Sequence, residues 1–141
     1  MLIVIFIISG EFKIDSNMMQ KFKPKQAETG KKDFIGTWRI TKMSEWSNDY
    51  VNEEVQAFIK IEKSGMGEFH FGLVQGSMCG NFKKNEEGMI FDFTFEGTDE
   101  CEQTSGDGWM KINADATAEG EIRFHLGDMS KFWAKKSKNE I

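Results

Sequence analysis

The chain has 141 residues, of which 39% are hydrophobic and 13% aromatic, a composition that suits one globular domain and excludes a disordered polymer. Residues 1–32 hold six Lys against three acids, whereas residues 33–141 hold twelve Lys and Arg against twenty acids, and an acidic domain of that kind excludes non-specific nucleic-acid binding. Two cysteines without a C-x-x-C exclude a disulfide scaffold and a thiolate zinc centre, and they point to a reducing, cytoplasmic setting.

The first apolar run, residues 2–8, is too short to span a bilayer. It has no basic residue before it and no small-x-small pattern after it, so no membrane association is expected. The reading is an extension upstream of a protein that begins near Met18 or Met19, with an inefficient signal or anchor as the alternative. Residues 20–32, rich in lysine around Pro24 and Gly30, read as a solvated arm. The domain expectation is therefore an extraneous or disordered segment at 1–32 and a folded unit at 33–137.

From residue 34 to 136 the chain repeats a short alternation of apolar and polar residues closed by Gly, Asn or Asp. The first strand is expected at 37–43, with Trp38 and Ile40 inward. The second, at 56–62, groups Ala57, Ile59 and Ile61, and the third, at 68–74, groups Phe69, Phe71 and Leu73 with His70 outward. The fourth, at 77–83, sets Met78, Gly80 and Phe82 against Cys79, Asn81 and Lys83. In the fifth, Phe91, Phe93 and Phe95 alternate with Asp92, Thr94 and Glu96. A long loop at 97–108 then precedes a sixth strand at 109–113 carrying Met110 and Ile112. The seventh, at 121–126, turns Ile122, Phe124 and Leu126 inward, and a short eighth covers 131–135.

Eight consecutive strands without helices between them predict an all-β, up-and-down antiparallel barrel, whose interior is filled by side chains or holds one small ligand. In such a meander the connections after the first, third, fifth and seventh strands share one end. The long ones, at 44–55, 97–108 and 127–130, are acidic and carry aromatics, so the candidate site is that rim: Trp46, Asp49, Tyr50, Asp99, Glu100, Asp107 and Asp128, with Trp109 nearby. Ser47 or Asn48 is placed to cap a helical turn in the first connection. The competing reading is that these acids only keep the loops soluble.

No G-x-S-x-G, P-loop or H-E-x-x-H pattern occurs, and residues 98–108 lack an EF-hand loop, so no cofactor and no metal is expected. His70 and His125 fall on strands that face each other across the barrel, both outward, and read as surface histidines. Cys79 and Cys101 both fall toward the rim and read as reduced thiols.

The run Phe34-Ile35-Gly36-Thr37-Trp38-Arg39-Ile40 resembles the first strand of the calycin superfamily, the lipocalins and fatty-acid-binding proteins, in which the tryptophan closes the barrel base. Asp49-Tyr50 echoes a pair found soon after it in fatty-acid-binding proteins. Over a longer span, GTWRI, GEFHFG, EGTDE, SGDGW, RFHLGD and KFWAKK resemble a family of small, uncharacterised bacterial proteins, which implies the domain limits and no activity. The leading functional expectation is a non-enzymatic binding or interaction module whose acidic, aromatic rim takes a small ligand or a basic protein partner. The alternatives are a calycin-like carrier with an apolar cavity and an enzyme using rim carboxylates.

Overall fold

Eight antiparallel strands follow one another around a closed barrel, each paired with the next and the last with the first, in a computed structural model that describes residues 29–138. They are β1 (Gly36–Met43), β2 (Phe58–Ile61), β3 (Met66–Phe71), β4 (Val74–Asn85), β5 (Gly88–Asp99), β6 (Glu102–Ile112), β7 (Ala118–Phe124) and β8 (Met129–Lys136). Among the described residues two single-turn helices accompany them, α1 (Lys31–Phe34) and α2 (Asn48–Val51). The expected all-β, up-and-down barrel is the observed fold. The apolar run at 2–8, the start near Met18 and most of the arm lie outside the described residues, whereas Lys31 and Lys32 already belong to α1. No described helix is long and apolar enough to cross a membrane.

The interior works by pairing large rings with missing side chains. In the ladder Phe69 lies opposite Gly76, Phe93 opposite both Gly80 and Gly108, Phe95 opposite Gly106, and Phe132 opposite Gly120. An eight-stranded barrel has an interior just wide enough for side chains, so these four rings are seated opposite glycines, whereas Phe71 lies opposite Val74 and Phe91 opposite Phe82 and Met110. The rings then lock each other: Phe69 meets Phe95 edge-on at 5.0 Å, Phe91 stacks on Phe93 at 5.6 Å, and Phe82 lies 5.0 Å from Phe91. Phe69, Phe71, Phe91, Phe93, Phe95 and Phe132 are all buried.

The base is closed by α1 and the head of β1. Phe34 is fully buried and packs on Phe82 at 5.8 Å, and the Trp38 indole Nε1 donates to the Phe34 carbonyl at 3.0 Å. Lys136 Nζ lies 4.8 Å over the Trp38 ring and donates to the Asp33 carbonyl at 2.8 Å, and burial pushes this ammonium below the ordinary lysine range. Trp38 is thus the inward anchor that the alternation predicts.

Three expectations need correction. The expected 97–108 loop is instead the upper half of a long hairpin, with β5 and β6 paired from Ile90–Lys111 up to Asp99–Glu102. Its turn is only Glu100-Cys101, both with positive φ (52° and 76°), the two-residue hairpin geometry that matches strand twist. Leu73 sits half-buried in the β3–β4 turn and Val74 takes the inward place. Leu126 is not inward at all: it turns out of β7 at φ 58° and is 95% exposed.

Candidate functional site

All four connections at the upper end converge, as the alternation of strand directions requires: 44–57, 72–73, 100–101 and 125–128. A bulge in β1 between Ile40 and Lys42 brings the chain out of the barrel wall. Ser44 then clasps β8, its N–H donating to the Lys131 carbonyl at 3.0 Å and its hydroxyl accepting from the Lys131 N–H at 2.9 Å. The buried Ser130 hydroxyl accepts from the Glu45 N–H at 3.2 Å. This clasp fixes the residue that follows, Trp46. Its ring lies over the mouth of the barrel, 5.4 Å from Phe71, 6.3 Å from Phe124 and 6.1 Å from Tyr50.

Ser47 begins α2, as expected, its side chain accepting from the Tyr50 N–H at 3.3 Å. The helix sets Tyr50 against the β3–β4 turn, where the Tyr50 hydroxyl accepts from the Leu73 N–H at 3.3 Å. The tyrosine ring covers Gly72, whose φ of 56° and lack of a Cβ are both required there. The Glu100 N–H donates to the Leu73 carbonyl at 3.1 Å, so the tip of the long hairpin leans on the same turn.

Between these elements opens a pocket of about 250 Å³ lined by Trp46, Tyr50, Asp99, Phe124, His125 and Asp128, with Val74, Thr104 and Gly127 completing it. Four of the seven residues expected at the rim, Trp46, Tyr50, Asp99 and Asp128, therefore meet in one concavity although they come from two connections and the end of β5. Asp99 and Asp128 are exposed, Trp46 and Tyr50 half-buried. The lining thus sets the half-buried Trp46, Tyr50 and Phe124 beside two exposed carboxylates.

The other three stand apart. Asp49 is exposed on α2 outside the pocket, and Glu100 is at the hairpin tip. Asp107 is on the outer wall of β6, where Arg123 Nε and Nη2 donate to its two oxygens at 2.9 and 3.2 Å. That fork holds the Asp107 carboxyl below the ordinary aspartate range, against a small opposing effect of burial. Trp109 is likewise on the outer wall, donating to Glu121 Oε1 at 3.3 Å. A larger concavity of about 1240 Å³ spreads along this wall from β3 to β7, over small hydroxyl side chains and the Asp107–Arg123 pair, and shares Phe124 and His125 with the rim pocket but neither Trp46 nor Tyr50.

Sequence reasoning missed Phe124 and His125 as pocket residues, having placed both within a seventh strand that ends earlier than expected. His70 does face outward, but it is not solvated: its side chain is 13% exposed and pairs with Glu54 at 3.0 Å. Cys79 faces out on β4 and Cys101 is at the hairpin tip; both are free and exposed. Among the described residues no group of three or more His, Cys, Asp or Glu is placed to hold a metal. Comparison of the chain with family models, curated proteins and solved structures returns no match.

Proposed function

We propose that the protein is a non-enzymatic binding module that takes a cationic group, carried by a small ligand or a basic protein partner, into the rim pocket. One observation carries this reading: Trp46 and Tyr50 are set beside Asp99 and Asp128 around a single concavity. Aromatic faces attract cations through their quadrupoles, and adjacent carboxylates add charge attraction and hydrogen-bond acceptors. Leu126, which is 95% exposed beside this pocket, offers an apolar contact at its edge.

The carrier reading has less support, because the barrel interior is occupied by phenylalanine rings seated on glycines. Catalysis by rim carboxylates also has less support, since Asp99 and Asp128 are solvated, whereas acid–base groups are usually tuned by burial. Trp38 at the base favours the calycin-like resemblance, and two exposed free thiols favour a reducing, cytoplasmic setting.

The test is a titration with benzylammonium and with an arginine amide, followed by tryptophan fluorescence. Asp99→Asn with Asp128→Asn should weaken binding about tenfold or more, the order expected for losing charge-assisted contacts, with folding stability nearly unchanged. Equal affinity in the double variant would contradict the reading.

A further inference from the structure

A second concavity, of about 510 Å³, opens on the outer wall where β1, still paired with β8, parts from β2 beyond the Arg39–Phe58 pair. Its charge is opposite to that of the rim and of the domain as a whole. Arg39 from β1, Asn52 and Gln56 from the β1–β2 connection, Lys135 and Lys136 from the end of β8 and Lys138 just beyond it line it, and among the described residues none of its lining is acidic. In the ladder Arg39 lies directly opposite Lys135, and both face outward because Trp38, Ile40 and Ala134 are the inward residues.

Like charges directly opposite on paired strands destabilise a sheet. A neighbouring carboxylate would relieve this pair, but Arg39, half-buried as it is, makes no side-chain hydrogen bond and no ion pair among the described residues, and neither do Lys135 and Lys138. Asp115 feels the charge of Lys135 without forming an ion pair with it. Lys136 is occupied at the base by the Asp33 carbonyl and the Trp38 ring. The Gln56 carboxamide has no partner among the described residues either. A local cost kept without an internal partner is the mark of a group that meets its partner from outside.

From this juxtaposition we infer that the pocket binds a phosphate group. The Arg39 guanidinium presents a planar fork that fits two phosphate oxygens, Lys135 and Lys138 supply flanking charge, and the Gln56 amide in the same lining is a neutral donor. Phosphate binding relieves the Arg39–Lys135 repulsion, so it also stabilises the fold. This site is independent of the rim pocket.

The experiment uses the full chain and two sources of phosphate. Inorganic phosphate is titrated while the backbone amides of Gln56 and Lys138, present in every variant, are followed by nitrogen-15 NMR, and co-sedimentation with phosphatidic acid vesicles is measured at the same ionic strength. Arg39→Gln and Lys135→Gln should each weaken binding about tenfold or more. Arg123→Gln, on another part of the outer wall, should leave it unchanged. Binding of free phosphate supports a soluble phosphorylated ligand, and binding of vesicles alone supports a lipid headgroup. Lys135→Gln, at an exposed position, keeps the test valid if Arg39→Gln does not fold. The inference is overturned if neither source binds, or if binding is indifferent to both substitutions.

Discussion

Gly76→Ala probes the way the barrel is filled. Gly76 lies opposite Phe69 in the β3–β4 ladder, and a Cβ added to it would come 2.5 Å from Cε2 of the Phe69 ring. Carbon atoms prefer about 3.5–4.0 Å, so one of the two must yield. The ring has little room to retreat, since Phe95 meets it edge-on at 5.0 Å and Phe71 stacks on it at 5.9 Å. Overpacking of this kind costs about 1–3 kcal/mol, against which alanine recovers about 0.4–1 kcal/mol through the unfolded chain. The net expectation is a loss of about 1–2 kcal/mol, or roughly 4–8 °C in Tm for a domain of this size. Urea melts of Gly76→Ala, Phe69→Leu and the double variant give the coupling directly. Phe69→Leu removes the obstructing ring, so the double variant should be more stable than the sum of the singles predicts, by about 1 kcal/mol. A neutral or stabilising Gly76→Ala, additive with Phe69→Leu, would mean that the space beside Gly76 is empty, and would refute the filled interior.

Trp38→Ala should cost about 3–5 kcal/mol, the usual cost of emptying a buried aromatic site, as read by denaturant unfolding. Tyr50→Phe should cost about 0.5–1.5 kcal/mol by leaving the Leu73 N–H without its acceptor, and hydrogen exchange at Leu73 should accelerate. Arg123 holds the Asp107 carboxyl below its unfolded value, so the stability this pair contributes is present above about pH 4 and is lost as pH falls through the folded value. Both side chains are nearly half exposed, so the effect is small, about 0.5 kcal/mol at most, and carbon-13 titration of Asp107 should move upward in Arg123→Gln.

The strand count, the inward faces of β1 to β5 apart from Leu73, and the shared end of the odd-numbered connections were legible, because alternation over four or more residues has one interpretation when one face is buried; at the β3–β4 turn Val74 takes the inward place instead of Leu73. The β5–β6 hairpin was not. Gly97, Gly106 and Gly108 look like loop residues in sequence, yet they sit in paired strands beneath phenylalanine rings or against a neighbouring strand's backbone. Meanwhile the true turn, Glu100-Cys101, lacks the Asn-Gly or Asp-Gly signal that such a geometry usually announces. This misreading carried Asp107 to the rim, although its place on β6 gives it to Arg123. Leu126 failed for a related reason: strict alternation continued two residues past Phe124, while the chain had already turned. The rim pocket was half visible, since Trp46, Tyr50, Asp99 and Asp128 came from loop placement, but Phe124 and His125 join it only through the early end of β7.

The most direct test of the rim as a binding site is an amide and indole chemical-shift map of the nitrogen-15-labelled chain on addition of benzylammonium. The account predicts saturable shifts at the Trp46 indole and at the amides of Tyr50, Asp99, His125 and Asp128, with the backbone around Phe93 and Gly108 unmoved. Shifts centred on the Phe93 and Gly108 interior, or none that saturate at the rim, would contradict it.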